Sequence, residues 1–113
     1  MTASKRILQI DPATAEALAA YGAVFLDVRE PDEWDAGHIP QALHMPLGCL
    51  DMGALPKDRI VIAVCRSGNR SGKAAATLVD AGFDVCNLAG GMKVWANDGH
   101  PITSSDGHPG DVA

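Results

Sequence analysis

The sequence carries no surplus of positive charge. Nine Lys and Arg stand against fourteen Asp and Glu, a net charge of -5 at pH 7. That argues against a nucleic-acid partner, which calls for a basic face, and it leaves an anionic substrate to be drawn in by local cations alone. No apolar stretch approaches the length of a membrane span, so no membrane partner is expected. Residues 1–10 lack the apolar core of a secretory signal. Cysteine is scarce and unpaired: Cys49, Cys65 and Cys86 are odd in number, with no C-x-x-C spacing. The pattern suits a reducing compartment, and the expectation is a cytoplasmic protein. There are no internal repeats, and neither His38 nor His44 falls in a metal-ligand spacing.

What is present is ordinary for a globular chain: 113 residues, 47% hydrophobic and 20% charged. This is one domain, large enough to bury roughly two-thirds of its unfolded surface. The domain is expected over residues 1–103, with residues 104–113 a polar, Gly- and Pro-containing tail expected to be disordered. Along the chain, residues 5–10 form a strand candidate. Asp11 then makes an N-cap with Pro12 at the first helical position, opening a helix to about Ala20 that Gly22 closes. Residues 23–28 form a second strand. A short helical turn follows over residues 32–36, stopped by Gly37. His38-Ile39-Pro40 is held extended by its proline, and residues 42–45 form a brief strand. Residues 47–55 are expected to be a short helix or an irregular turn.

The chain is organised around Cys65-Arg66-Ser67-Gly68-Asn69-Arg70-Ser71. Five apolar residues, 60–64, run straight into it, as in a central strand buried on both faces. Behind it, residues 71–81 have the composition of a helix, with Ala74, Ala75, Leu78 and Val79 as its apolar stripe and Gly82 at its end. Residues 83–88 form the last strand, Gly90-Gly91 a tight turn, and residues 92–97 a final short helix. Strands alternating with helices predict an α/β fold, a parallel sheet of about five strands with helices on both faces. Ligands bind such sheets at the carboxyl ends of the strands. Residues 27–30, 65–70 and 88–91 all fall at those ends and are expected to converge.

A cysteine between a strand end and a helix start meets the helix's positive end and backbone N–H groups that curl toward one point. That setting favours the thiolate, which is the nucleophile. Arg66 and Arg70 add cationic character. A buried structural cysteine is the plainer alternative, but it would not need an arginine on either side of a Ser-Gly-Asn turn. Cys65 is therefore the candidate nucleophile. Cys49 and Cys86 are expected to be packing residues, His38 and His44 to make structural hydrogen bonds, and Trp34 and Trp95 to anchor packing.

Three stretches together resemble the single-domain rhodaneses. They are Asp27-Val28-Arg29-Glu30 with Glu33-Trp34 and Gly37-His38-Ile39-Pro40, then residues 65–71, then Leu88-Ala89-Gly90-Gly91-Met92 with Trp95. The resemblance runs from about Ala20 to Ile102. It implies a rhodanese-like fold and a thiosulfate sulfurtransferase in which Cys65 becomes a persulfide. The donor would be thiosulfate or another sulfane-sulfur compound, and the acceptor cyanide, a small thiol or a thioredoxin-like protein. No metal or organic cofactor is implied. Carried over by residue, the backbone from Arg66 through Ser67, Gly68 and Asn69 to Arg70 is the cradle. Arg66 and Arg70 are candidates to hold the donor's oxyanion end, and Ser71 is expected to cap the helix. Asp27 and Arg29 are expected to pair, with Glu33 joining them, and brace the crevice wall. Gln41 departs from the family, which often has glycine there.

Two other readings remain. One is a carrier that delivers persulfide sulfur to a partner protein. The other is phosphatase or arsenate-reductase chemistry on a related fold, whose loop sets five residues between cysteine and arginine. Here Cys65 and Arg70 are separated by four residues, a tighter cradle that suits a single sulfur better than a tetrahedral phosphoryl group.

Overall fold

The structure, a computed structural model, describes residues 7–113. Five strands form one parallel sheet in the order β1-β5-β4-β2-β3: β1 Leu8–Ile10, β2 Val24–Asp27, β3 Leu43–His44, β4 Val61–Val64 and β5 Val85–Leu88. Helices α1 Pro12–Ala20, α2 Pro31–Ala36, α3 Asn69–Asp80 and α4 Gly91–Asn97 connect or follow them. The expected first strand begins partly outside the described residues, at Lys5 and Arg6. The stretch after β3 resolves into two 3-10 turns, Leu47–Cys49 and Met52–Ala54.

Local chemistry sets these elements. Asp11 accepts a hydrogen bond from the Thr14 N–H at 2.8 Å, and Pro12 takes the first helical position of α1. Glu30 and Glu33 close a reciprocal capping box on α2. The four residues of β4 are all buried, as a central strand covered on both faces requires. Its side chains alternate between two cores. Val61, Ala63 and Cys65 pack with Leu26, Val28 and Val85 against Ala74, Ala75 and Leu78 of α3. Ile62 and Val64 pack with Ile10, Phe25, Cys86 and Leu88 against Ala15 of α1 and Met92 and Trp95 of α4. Each large aliphatic side chain buried this way contributes roughly 1.5–3 kcal/mol before the entropy of ordering it is charged. The two cores thus hold β4, and Cys65 at its end, at the centre of the molecule.

Gln41 is the one non-glycine residue with positive φ among the described residues, at 68°. A left-handed conformation costs an L-residue roughly 1–2 kcal/mol, and that is the physical sense of a glycine preference at this turn. None of the described helices is long and apolar enough to cross a membrane.

The segment from Ser104, for which composition gave an expectation of disorder, lies along α2. His38 and Thr103 exchange backbone hydrogen bonds at 2.9 Å each way, the Asp111 N–H donates to the Ala36 carbonyl at 2.9 Å, and Val112 packs partly buried on the α1/α4 core.

Candidate active site

The loop after β4 is pinned from below. The N–H of Met92 donates to the Cys65 carbonyl at 2.8 Å, and that of Lys93 to the Arg66 carbonyl at 3.1 Å. These N–H groups belong to the first turn of α4, where a helix leaves its donors free, so the loop caps the helix. With the Arg66 carbonyl turned toward α4, planarity of the trans peptide turns the Ser67 N–H the other way, toward the sulfur. The Gly68 N–H follows and donates to Cys65 Sγ at 3.0 Å. Gly68 then turns the chain into α3 by taking a left-handed φ of 104°.

Cys65 is 1% exposed. Burial works to raise its pKa. Hydrogen bonds from the Ser71 hydroxyl and from the backbone N–H groups of Ser71, Gly68 and Ser67 outweigh that burial and hold the thiol below its ordinary value. Ser71 was expected to cap the helix, and it does not. α3 begins two residues earlier, at Asn69, with Gly68 as its N-cap. This places Ser71 in the first turn, fully buried, with its Oγ 3.3 Å from Cys65 Sγ and 2.5 Å from Asn87 Oδ1.

The three stretches expected at the strand ends do meet. A Cβ on Gly91 would lie 2.3 Å from the Cys65 carbonyl oxygen, so Gly91 serves close backbone approach as well as the turn. Asp27 and Arg29 form a buried pair: Arg29 Nη2 donates to Asp27 Oδ2 at 2.8 Å and to the Gly37 carbonyl at 2.7 Å. Removing one partner of such a pair costs about 3–5 kcal/mol. Glu33 does not join it. It takes Arg70 instead, in a two-pronged contact of 2.6 and 2.8 Å. The Arg70 guanidinium, expected on the donor's oxyanion, is thereby engaged by the wall of the crevice, because α2 delivers Glu33 directly across from α3's first turn. Arg66 is exposed and gives its Nε–H to the Ala113 carbonyl at 2.8 Å.

The residues expected to be supporting fall mostly in place. His38 Nδ1 lies 2.8 Å from the Trp34 carbonyl and His44 Nε2 2.8 Å from the Arg29 carbonyl. Trp34 stacks between the two imidazoles, and Trp95 packs edge-on against Phe25. Cys86 is buried, and burial raises its thiol pKa. Cys49 is exposed on its 3-10 turn, where the apolar packing expected of it is not available. Asn87 was missed from sequence. Its signal was legible: it is the one polar residue in the buried strand Val85-Cys86-Asn87-Leu88.

The rhodanese-like domain family matches residues 11–98. The chain belongs to that family. A protein of Allochromatium vinosum named sulfurtransferase is 42% identical over 87 residues, covering 74% of this chain and 81% of that protein. The thiosulfate sulfurtransferase GlpE of Pseudomonas syringae is 39% identical, covering 84% and 90%. Among solved structures, a rhodanese-related protein of Thermoplasma volcanium superposes with a TM-score of 0.79 at 28% identity, covering 85% of this chain and 97% of that one. At the level of this rhodanese-like family the activity is sulfur transfer.

Proposed function

We propose that this rhodanese-like domain is a sulfurtransferase that takes a sulfane sulfur from thiosulfate or a related donor, carries it as a Cys65 persulfide, and passes it to cyanide or a thiol. The observation that carries this reading is the sulfur's setting: Gly68 N–H at 3.0 Å and Ser71 Oγ at 3.3 Å, with the thiol held below its ordinary pKa.

The Cys65 thiolate attacks the outer sulfur of thiosulfate. The sulfur–sulfur bond of the donor breaks, and sulfite leaves with the electron pair. The new bond joins Sγ to the transferred sulfur, which now bears the negative charge. Backbone N–H groups from Ser67 and Gly68 and the positive end of α3 suit that charge, since they are fixed before it arrives. The acceptor then attacks the outer sulfur, thiocyanate or a new persulfide departs, and the electron pair of the broken bond restores the Cys65 thiolate. No external oxidant or reductant enters the cycle. Arg66 is the candidate for the sulfonate end of the donor: its guanidinium carries five donors, and Nε–H is the one held by Ala113. Arg70, closed by Glu33, braces the wall. Delivery to a thioredoxin-like protein thiol uses the same chemistry, with the acceptor thiolate in place of cyanide.

The test is an intact mass spectrum of the reduced protein after brief thiosulfate treatment, repeated with Cys65→Ala. The expected result is the gain of one sulfur atom, removed by cyanide and absent from the variant. A folded protein that gains nothing from thiosulfate or another sulfane donor would overturn the reading. An adduct that persists in Cys65→Ala would move the chemistry to another cysteine.

A further inference from the structure

The hydroxyl of Ser71 has two acceptors within reach and one proton. Its Oγ lies 3.3 Å from Cys65 Sγ and 2.5 Å from Asn87 Oδ1, and a hydroxyl donates to one of them at a time. The Asn87 amide is not free to turn over and change this. Its Nδ2 lies 2.8 Å from Gln9 Oε1 and 3.1 Å from the Gly68 carbonyl. A carbonyl can only accept, so the NH2 must face Gly68 and the oxygen must face Ser71. The site is closed: Cys65 is 1%, Ser71 0% and Asn87 3% exposed, so an acceptor left without a donor there costs its full desolvation. An amide inside an otherwise apolar strand is itself costly unless its bonds are made.

We propose that Asn87 is a positioning residue that competes with Cys65 for the Ser71 proton. The hydroxyl points to Asn87 Oδ1 while the sulfur carries a proton or a bonded sulfur, and turns to Sγ while the sulfur is anionic. In the thiol state the S–H donates to Ser71 Oγ and Ser71 donates to Asn87, so every group is satisfied. When the thiol gives its proton to solvent, the S–H bond breaks and its electron pair stays on sulfur; the hydroxyl then rotates onto the sulfur, and no covalent bond of Ser71 or Asn87 changes. Asn87 Oδ1 then loses its donor, a penalty that falls on the thiolate state alone. Asn87 thus limits how far the loop stabilises the thiolate. That has a chemical use, because a thiolate's nucleophilicity falls as its pKa falls. Once sulfur has been transferred, the charge sits on the outer atom, Sγ is neutral, and the hydroxyl returns to Asn87.

This rests on the proposed function only in taking Cys65 as the reactive sulfur. Of the charged groups on the elements that meet there, Arg70 senses the charge of the sulfur and is paired with Glu33, with Glu30 also acting on it; Arg66 is on the loop, the buried Asp27–Arg29 pair is at the end of β2, and Lys93 is in the first turn of α4. Substituting Asn87 changes none of them.

The experiment follows iodoacetamide alkylation at Cys65 against pH, read by peptide mass spectrometry. It needs no sulfur donor, so a failed persulfide assay leaves it intact. Asn87→Leu removes the competing oxygen at similar volume and is expected to shift the midpoint down by about one pH unit. Ser71→Ala is expected to shift it up, and Asn87→Leu is expected to have no further effect in the Ser71→Ala background. A purely structural Asn87, acting by holding the Gly68 carbonyl, would give an upward shift from a loosened loop, and would give it with Ser71→Ala present. Either result overturns the proposal. Should Asn87→Leu fail to fold, NMR of the unsubstituted protein decides. The Asn87 side-chain amide signals are expected to move with the Cys65 midpoint, and signals that stay fixed through it overturn the competition.

Discussion

Arg70 answers to three anions, Glu33 foremost, then the Cys65 sulfur and Glu30. It senses the charge of the Cys65 sulfur across the loop, and its fork is filled by Glu33, 37 positions away in sequence. The Glu33 carboxyl is held at about 2, chiefly by its hydrogen bonds to Arg70, with partial burial opposing them. Because that value lies below the ordinary one, the unfolded chain binds more protons than the folded one in the acid range. The pair's contribution to stability is therefore complete above about pH 4.5 and is lost as pH falls toward about pH 2. Solvent at the Arg70 end screens the pair, which keeps it near the scale of a surface bridge, about 1 kcal/mol. Glu33→Gln is expected to lower stability by that amount at pH 7 and to converge with the unsubstituted protein near pH 2. Urea unfolding at a series of pH values measures it, and parallel curves across the range would show that Glu33 and Arg70 are not paired in solution. Such a pair is invisible in sequence, because neither residue's neighbours announce the other. The sulfur's own setting was more legible, since a helix start and a Ser-Gly-Asn turn follow Cys65 directly.

At the scale of elements, α4 and the Cys65 loop are one construction. A helix of seven residues with no side-chain cap leaves its first N–H groups unsatisfied, and the carbonyls of Cys65 and Arg66 take two of them. Gly91 is where the two backbones touch. A Cβ there would sit 2.3 Å from the Cys65 oxygen and 2.7 Å from the Arg66 oxygen, both backbone atoms, at a φ of +60°. Gly22 offers the contrast, with φ at +105° and open space around it. Gly22→Ala is expected to cost about 1–3 kcal/mol of backbone strain and to leave Cys65 alkylation unchanged. Gly91→Ala adds overpacking, a further cost of about 1–3 kcal/mol, and is expected to slow Cys65 alkylation by displacing the loop. Thermal unfolding and alkylation rates of the two variants decide the matter, and equal effects on both would mean that α4 does not clamp the loop. The paired glycines could be seen in sequence as a turn, but the contact that makes the second one necessary is tertiary.

Over the whole molecule, the elements whose signals are local were legible. The apolar run of residues 60–64 became β4, Asp11-Pro12 opened α1, and the strand ends brought residues 27–30, 65–70 and 88–91 together. What was not legible depended on backbone conformation or on distant chain. Ser71 was placed at the helix cap because the left-handed turn at Gly68 starts α3 early. Asn87 stood out as a lone polar residue in a buried strand, but its role did not, because its partners Gln9, Gly68 and Ser71 come from three other segments. The path of residues 104–113 belongs to the same class. Gly37 has a φ of 175°, extended backbone that any residue adopts, so alanine there brings no strain of its own. Its Cβ would lie 2.4 Å from the Asp111 carbonyl oxygen and 2.7 Å from the Asp111 nitrogen. Gly37→Ala therefore acts on one thing, the seating of the tail. It is expected to break the Asp111 hydrogen bond to Ala36, lift Val112 from the α1/α4 core and free Arg66 from Ala113. Limited proteolysis should then cut within residues 104–113 several-fold faster, while the β4 amides keep their hydrogen-exchange protection, because among the described residues the tail's backbone–backbone hydrogen bonds go to α2 and to the tail's own stretch and not to the sheet. Cleavage unchanged by the substitution would show that Gly37 does not hold the segment. Lost protection in β4 would show instead that the tail is part of the cooperative core, and that releasing it loosens the sheet that carries Cys65.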